Sequence, residues 1–124
     1  MSDNDQLIKD FVAAWCSLDI DRIMGFFTED AVYINIPMEP ANDGKPAIRA
    51  FNESFVGNCS KIEFTVHHQV AAGDLVMNER TDKLVMGDNT IELPVMGVFE
   101  IRNGKISAWR DYFDMRPFKI IGLG

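Results

Sequence analysis

Three short stretches carry polar side chains where strand alternation predicts burial, and together they could perform acid–base chemistry. In "VMNERTDKL", Val76, Asn78, Arg80, Asp82 and Leu84 share one face of a strand. Arg80 and Asp82 are then next-but-one neighbours, close enough to pair. In "AVYIN", Ala31, Tyr33 and Asn35 face one way, opposite Val32, Ile34 and Ile36. In "AWRDYFDM", Asp111 falls between Trp109 and Phe113, with Met115 on the same side and Ala108, Arg110, Tyr112 and Asp114 on the other. Two carboxyls in one apolar cavity cannot both ionise cheaply, because desolvation and mutual repulsion drive their pKa values apart. A guanidinium between them would restrain that divergence and hold both in place. One carboxyl then accepts a proton while the other donates one, and Tyr33 and Asn35 supply a hydroxyl and an amide suited to positioning a water.

Each stretch has a blander explanation when taken alone. An Arg-x-Asp on a strand is most often a surface ion pair, and a Tyr-x-Asn near a strand end most often bonds a loop. Asp111 resists dismissal, because flanking aromatics disfavour a solvated face. Arg110 and Asp114, with Tyr112, are assigned to solvent, a helix or a partner subunit.

The positioning elements follow from periodicity. "SDNDQLIKDFVAAWCSLD" reads as a helix, with Ser2 or Asn4 as cap and Leu7, Phe11, Ala14 and Trp15 inward. "LDIDRIMGFF" reads as a second helix capped by Asp19, with Ile20, Ile23, Met24 and Phe27 inward. "DAVYINIP" is a strand stopped by Pro37, and "MEPANDGKP" is a loop of turn formers. Pro46 opens a third helix that ends near Gly57. Strands follow in "KIEFTVHHQVAAG", "DLVMNERTDKLVMG", "TIELPVMGVFEIRNG" and "KISAWRDYFDM", with hairpin turns at Asp88-Asn89 and Asn103-Gly104. The last few residues read as a tail. Helices followed by long antiparallel strands predict an α+β layer: a curved, mostly antiparallel sheet with about three helices on its concave side, forming a cone-shaped pocket.

The 124 residues predict a single domain, and 47% hydrophobic with 25% charged residues is ordinary for a globular chain. A net charge of −7 disfavours nucleic acid and anionic membranes as partners. No apolar run approaches a membrane span and no leader pattern opens the chain, so the expected location is cytoplasmic. Cys16 and Cys59 stand outside any metal or redox spacing and read as reduced, half-buried thiols. His67 and His68 point to opposite faces of a strand, which argues against a metal site. No phosphate-binding glycine loop or nucleophile elbow is present, and no cofactor is expected.

"VYINIPMEP", "NERTDKL" and "GVFEIRNGKISAWRDYFDM", in that order, closely resemble the limonene-1,2-epoxide hydrolase family, within the nuclear-transport-factor-2-like (SnoaL-like) superfamily. The resemblance runs from about Asp5 to Phe118 and is strongest from Val76 onward. It implies that Asp111 is the general base on a water held also by Tyr33 and Asn35, that Asp82 is the general acid protonating the epoxide oxygen, and that Arg80 bridges the two. It implies one-step ring opening to a vicinal diol, no covalent intermediate, no metal or cofactor, and a homodimer. The partners it implies are a small apolar epoxide, such as a terpene or cycloalkene oxide, and water. Trp109, Met77, Phe113 and Leu93 are expected against the substrate, with Met38, Phe51, Phe55 and Met96 helping to set pocket volume. The short segment before the first helix implies a more open pocket mouth. The competing readings on this fold are an isomerase or cyclase, which needs one carboxylate and an oxyanion donor but no bridging Arg, and a non-catalytic small-molecule binder.

Overall fold

The structure is a computed structural model and describes residues 3–120 of the chain. Helix α1 (Asp3–Cys16) buries Ile8, Phe11, Val12, Ala14 and Trp15 along one stripe. Asp3 and Asp5 occupy its first turn, where carboxylates complement the helix dipole. The expected cap Ser2 lies outside the described residues. Asn4 is inside the helix, and its amide donates to the Gly73 carbonyl at 2.9 Å. Helix α2 (Ile20–Met24) is capped by the Asp19 carboxylate, which accepts from the Arg22 N–H. It stops earlier than expected, at Gly25, with Ile20 only half-buried. Phe27 instead opens strand β1 (Phe27–Asn35).

The predicted loop after Pro37 contains a strand, β2 (Met38–Asp43), paired antiparallel to β1 through Val32↔Asp43 and Asn35↔Met38. It is an edge strand, where Pro40 removes no ladder donor that the sheet requires. Its turn-forming composition hid it. Helix α3 (Lys45–Gly57) has Pro46 in its first turn, as expected. Then come β3 (Lys61–Ala72), β4 (Leu75–Met86), β5 (Asn89–Arg102), β6 (Lys105–Tyr112) and a short helix α4 (Arg116–Ile120). The tail expectation thus fails up to Ile120; later residues lie outside the described ones. The β5–β6 turn is Asn103-Gly104, both at positive φ (52° and 75°), the mirror-image turn that matches strand twist. The β4–β5 turn falls one residue early, at Gly87-Asp88, because Gly87 takes φ 59° and Asn89 already pairs with Met86.

The six strands form one open mixed sheet in the order β2-β1-β6-β5-β4-β3, antiparallel except for the β1–β6 pair. This is an α+β architecture with four described helices. α1 packs on β3 and β4, α3 on β1 and β2, and α4 on β5. Between helices and sheet lies an aromatic core in which Phe11 meets Phe27, Phe99 and Trp109 edge-on at 5.0–6.0 Å. A bulge between Val66 and His68 resets the β3 register. His68 then pairs with Glu79, and His67 bonds Thr81, so both histidines lie exposed on the outer face rather than on opposite faces. Cys59 is buried and Cys16 exposed, not both half-buried. Among the described residues no helix is long and apolar enough to cross a membrane.

Candidate active site

One row of residues crosses five strands of the sheet. Register pairs Gln69 on β3 with Asn78 on β4, Asn78 with Gly97 on β5, Gly97 with Asp111 on β6, and Asp111 with Asn35 on β1. The middle member has no side chain. A Cβ built on Gly97 would meet Arg80 Nη1 at 2.5 Å, Asp111 Oδ1 at 2.9 Å and Asn78 Oδ1 at 3.0 Å. The Arg80 guanidinium, two residues along β4, therefore occupies the socket that the missing side chain leaves.

From that socket Arg80 reaches three partners. Its Nε donates to Asp82 Oδ1 at 2.7 Å and its Nη2 to Asp82 Oδ2 at 3.1 Å. Nη2 also donates to Asp111 Oδ2 at 2.5 Å, and Nη1 to Asn78 Oδ1 at 3.1 Å. The guanidinium is 1% exposed and lies 5.0 Å from the Phe64 ring centre and 5.9 Å from that of Trp109. Such desolvated charge is tolerable only with this density of partners; removing one member of a buried pair costs about 3–5 kcal/mol.

Asp111 differs from Asp82 in one respect. Trp109 Nε1 donates to Asp111 Oδ1 at 2.6 Å, so each Asp111 oxygen carries a donor, from two different residues. Trp109 is itself fixed by stacking under Tyr33, with ring centres 4.1 Å apart and planes at 6°. The Tyr33 hydroxyl donates to Asn35 Oδ1 at 3.1 Å, which leaves the Asn35 amide hydrogens free to face the cavity. Burial pushes the Asp82 carboxyl up to about 6, against the pull of Arg80. Burial also raises Asp111, opposed by Arg80 and by the Trp109 hydrogen bond. Burial and the Asp111 charge hold the Tyr33 phenol well above its usual value, so it stays a neutral donor. Burial works against the Arg80 charge, but the two carboxylates more than offset it and hold Arg80 protonated.

Asp82, Asp111, Tyr33 and Asn35 open onto a cavity of about 630 Å³ between the sheet and α1, α3 and α4. That volume is in the range of sites for drug-sized molecules, ~300–1,000 Å³. Apart from Asp82, Asp111 and Tyr33, no ionisable side chain lines it among the described residues. The structure thus brings together all five expected site residues. Leu93, Phe113, Met38, Phe51 and Phe55 line the cavity as expected. Three expectations fail. Met77 precedes an inward residue on β4 and so points to the outer face. Met96 is exposed on that same outer face. Trp109 lies beneath the cavity wall, holding Asp111 and Tyr33 rather than lining the space. β6 also ends at Tyr112, so Phe113 enters the cavity from the segment after the strand. Sequence reasoning missed Trp15, Phe64 and Phe118 in the lining, and Gly97 behind it. No three His, Cys, Asp or Glu side chains gather as a metal-holding group among the described residues.

The open sheet with helices on one face and an apolar cavity between them is the fold shared with NTF2-like and SnoaL-like proteins. Comparison with solved structures agrees. A putative SnoaL-like polyketide cyclase from Shewanella putrefaciens CN-32 superposes with TM-score 0.85 at 17% identity, covering 97% of this chain and 96% of that one, a likeness of fold alone. An LEH-like epoxide hydrolase from Mycobacterium tuberculosis superposes with TM-score 0.83 at 31% identity, covering 96% and 90%. In sequence, residues 2–121 match the limonene-1,2-epoxide hydrolase catalytic domain. Epoxide hydrolase EphG of M. tuberculosis (strain ATCC 25618 / H37Rv) is 32% identical over 110 residues, 87% of this chain and 71% of that protein. The chain belongs to the limonene-1,2-epoxide hydrolase family, which puts it among the epoxide hydrolases.

Proposed function

We propose that this chain, as a single domain, adds water to a small apolar epoxide in one acid–base step, giving a vicinal diol. The observation that supports the reading most strongly is one buried guanidinium holding two buried carboxylates at the end of an apolar cavity. Asp111, with two donors stabilising its anion, is the base. It removes a proton from a water held by Tyr33 and Asn35, and that oxygen bonds to one ring carbon from the back while the bond between the same carbon and the epoxide oxygen breaks, leaving that oxygen on the other ring carbon. Asp82, raised to about 6, carries the proton that the departing oxygen takes. Proton transfer from Asp111 back to Asp82 through solvent restores the starting state. Each such proton transfer is typically worth ~10²–10⁴ in rate. An isomerase would need one free carboxylate facing an oxyanion donor; here both carboxylates are committed to Arg80.

A single turnover in ¹⁸O-water should place the label in the diol; unlabelled oxygen drawn from the enzyme would overturn the one-step reading. Asp111→Asn and Asp82→Asn should each abolish diol formation in a folded protein. A panel of terpene, cycloalkene and aryl epoxides with chiral product analysis identifies the preferred substrate. The chain is also read as a homodimer, a proposal supported by exposed Val70, Met96 and Tyr112 on the helix-free face, and checked by sedimentation equilibrium.

A further inference from the structure

The polar row does not stop at the guanidinium. Asn78 Nδ2 donates to Gln69 Oε1 at 3.1 Å. Gln69 Nε2 donates in turn to Asp5 of α1, to its carboxylate at 2.8 Å and its backbone carbonyl at 3.0 Å. Asp5 also pairs with Lys9 at 3.1 Å and is part-exposed. The order of donors along this line is dictated from both ends. A carboxylate and a carbonyl only accept, so Gln69 must turn its NH₂ toward Asp5 and its oxygen toward Asn78. Asn78 must then turn its NH₂ toward Gln69 and its oxygen toward Arg80, which only donates. Neither amide can flip without setting donor against donor or acceptor against acceptor in a part-buried place.

We propose that Asn78 and Gln69 are positioning residues: a two-amide relay, anchored on Asp5, that holds the Nη1 corner of Arg80 over Gly97. The Nε–Nη2 edge is thereby left aimed at Asp82, and the second Nη2 hydrogen at Asp111. The proposal rests on the acid–base reading of that site. The relay supplies what the carboxylates cannot. Asp82 takes Nε and one Nη2 hydrogen and Asp111 takes the other Nη2 hydrogen, so the carboxylates leave Nη1 without a partner; the neutral Asn78 oxygen holds that corner. The groups facing the guanidinium are Asp82 on β4, Asp111 on β6 and, beyond the Trp109 ring, Tyr33 on β1. β3 presents Phe64 and β5 presents Gly97. Asp5 and Lys9 stand at the outer end on α1. None of them can replace the Asn78 oxygen.

The test is kinetic and spectroscopic on the full chain. Asn78→Leu, close in shape but without polar atoms, should lower kcat roughly 10–100-fold with KM within about twofold, because reacting groups misplaced by a fraction of an ångström lose rate rather than binding. Gln69→Met, which does not touch Arg80, should lower kcat several-fold. The double variant should be no worse than Asn78→Leu alone, since both changes act through one oxygen. Asn78→Asp restores an oxygen to Nη1 but adds a third carboxylate to one guanidinium. It should therefore move the carboxyl ¹³C titrations of Asp82 and Asp111, and the acid limb of kcat/KM, to higher pH. Wild-type kcat in Asn78→Leu, additive losses in the double variant, or unmoved titrations in Asn78→Asp would each overturn the relay. Should Asn78→Leu fail to fold, Gln69→Met and the Asn78→Asp titration decide the matter. The titrations need no substrate. If wild-type protein opens no epoxide, the acid–base reading falls, while the NMR arm still judges whether the relay holds Arg80.

Discussion

Gly97→Ala adds one methyl group, no charge and no polar atom, and should damage catalysis more than stability. Gly97 does not occupy the left-handed backbone region, so alanine fits the strand conformation. By restricting the unfolded chain alone it would stabilise the fold by about 0.4–1 kcal/mol. The contacts oppose this. The new Cβ would sit 2.5 Å from Arg80 Nη1, where ordinary contact begins at 3.4 Å, so the guanidinium must withdraw by roughly 0.9 Å. It cannot pivot freely, because Asp82 holds two of its nitrogens and Asn78 and Asp111 flank it at 3.0 and 2.9 Å from the same Cβ. Overpacking of this kind costs about 1–3 kcal/mol, which exceeds the entropic gain. The net loss should therefore be about 1 kcal/mol, or several degrees in Tm for a chain of this size. A displacement near 1 Å in the groups that carry the proton chemistry costs on the order of 10²-fold in rate. Diol formation under saturating epoxide, with thermal melting in parallel, separates the two effects. A Gly97→Ala protein with wild-type kcat and a raised Tm would refute the socket.

Three further outcomes follow from the same geometry. Trp109→Phe keeps an aromatic ring under Tyr33 but deletes the 2.6 Å donor to Asp111. A charge-assisted bond is worth about 1.5–3 kcal/mol, so the Asp111 pKa, already raised by burial, should climb further and carry the acid limb of the pH–rate profile upward with it. For stability the sign runs the other way from a paired surface carboxylate. Asp82 titrates at about 6 in the fold, against 3.8 for an ordinary aspartate in water. The folded state thus holds the extra proton between those values, and stability should fall as pH rises through that window, by an amount on the order of 3 kcal/mol. Urea midpoints from pH 4 to 7 check this, and Asp82→Asn should flatten the slope without abolishing it, because Asp111 is raised as well. Phe118→Ala removes a nearly buried ring from the cavity wall beside Phe113. KM for an apolar epoxide should rise roughly 5–30-fold, as expected for ~1–2 kcal/mol of lost apolar contact, with kcat changed little.

What the sequence discloses and what it hides both trace to the two-residue period of strands. Arg80, Asp82 and Asp111 are legible because alternation over long, uninterrupted strands sorts side chains by face, and three polar residues on apolar faces stand out. The same rule already separates Met77 from the cavity, since it precedes Asn78 and so must look outward. Alternation gives a face but no depth, which is why Trp109 could be placed beside Asp111 and not beneath the wall. It is also silent about a residue with no side chain: nothing in "PVMGVFE" marks Gly97 as the place where a guanidinium lies, because that role belongs to a neighbour two residues along another strand. Gln69 is hidden by a different cause. Counted by twos from Val66, it would fall on the outer face. The bulge at His67 shifts the parity by one residue, brings Gln69 inward to meet Asn78, and sends both histidines out. One extra residue in one strand thus completes the row from Asn35 to Gln69. Along that row Arg80 donates to Asn78, Asn78 to Gln69 and Gln69 to Asp5, so a part-exposed carboxylate on α1 closes a line of hydrogen bonds that begins at the buried guanidinium.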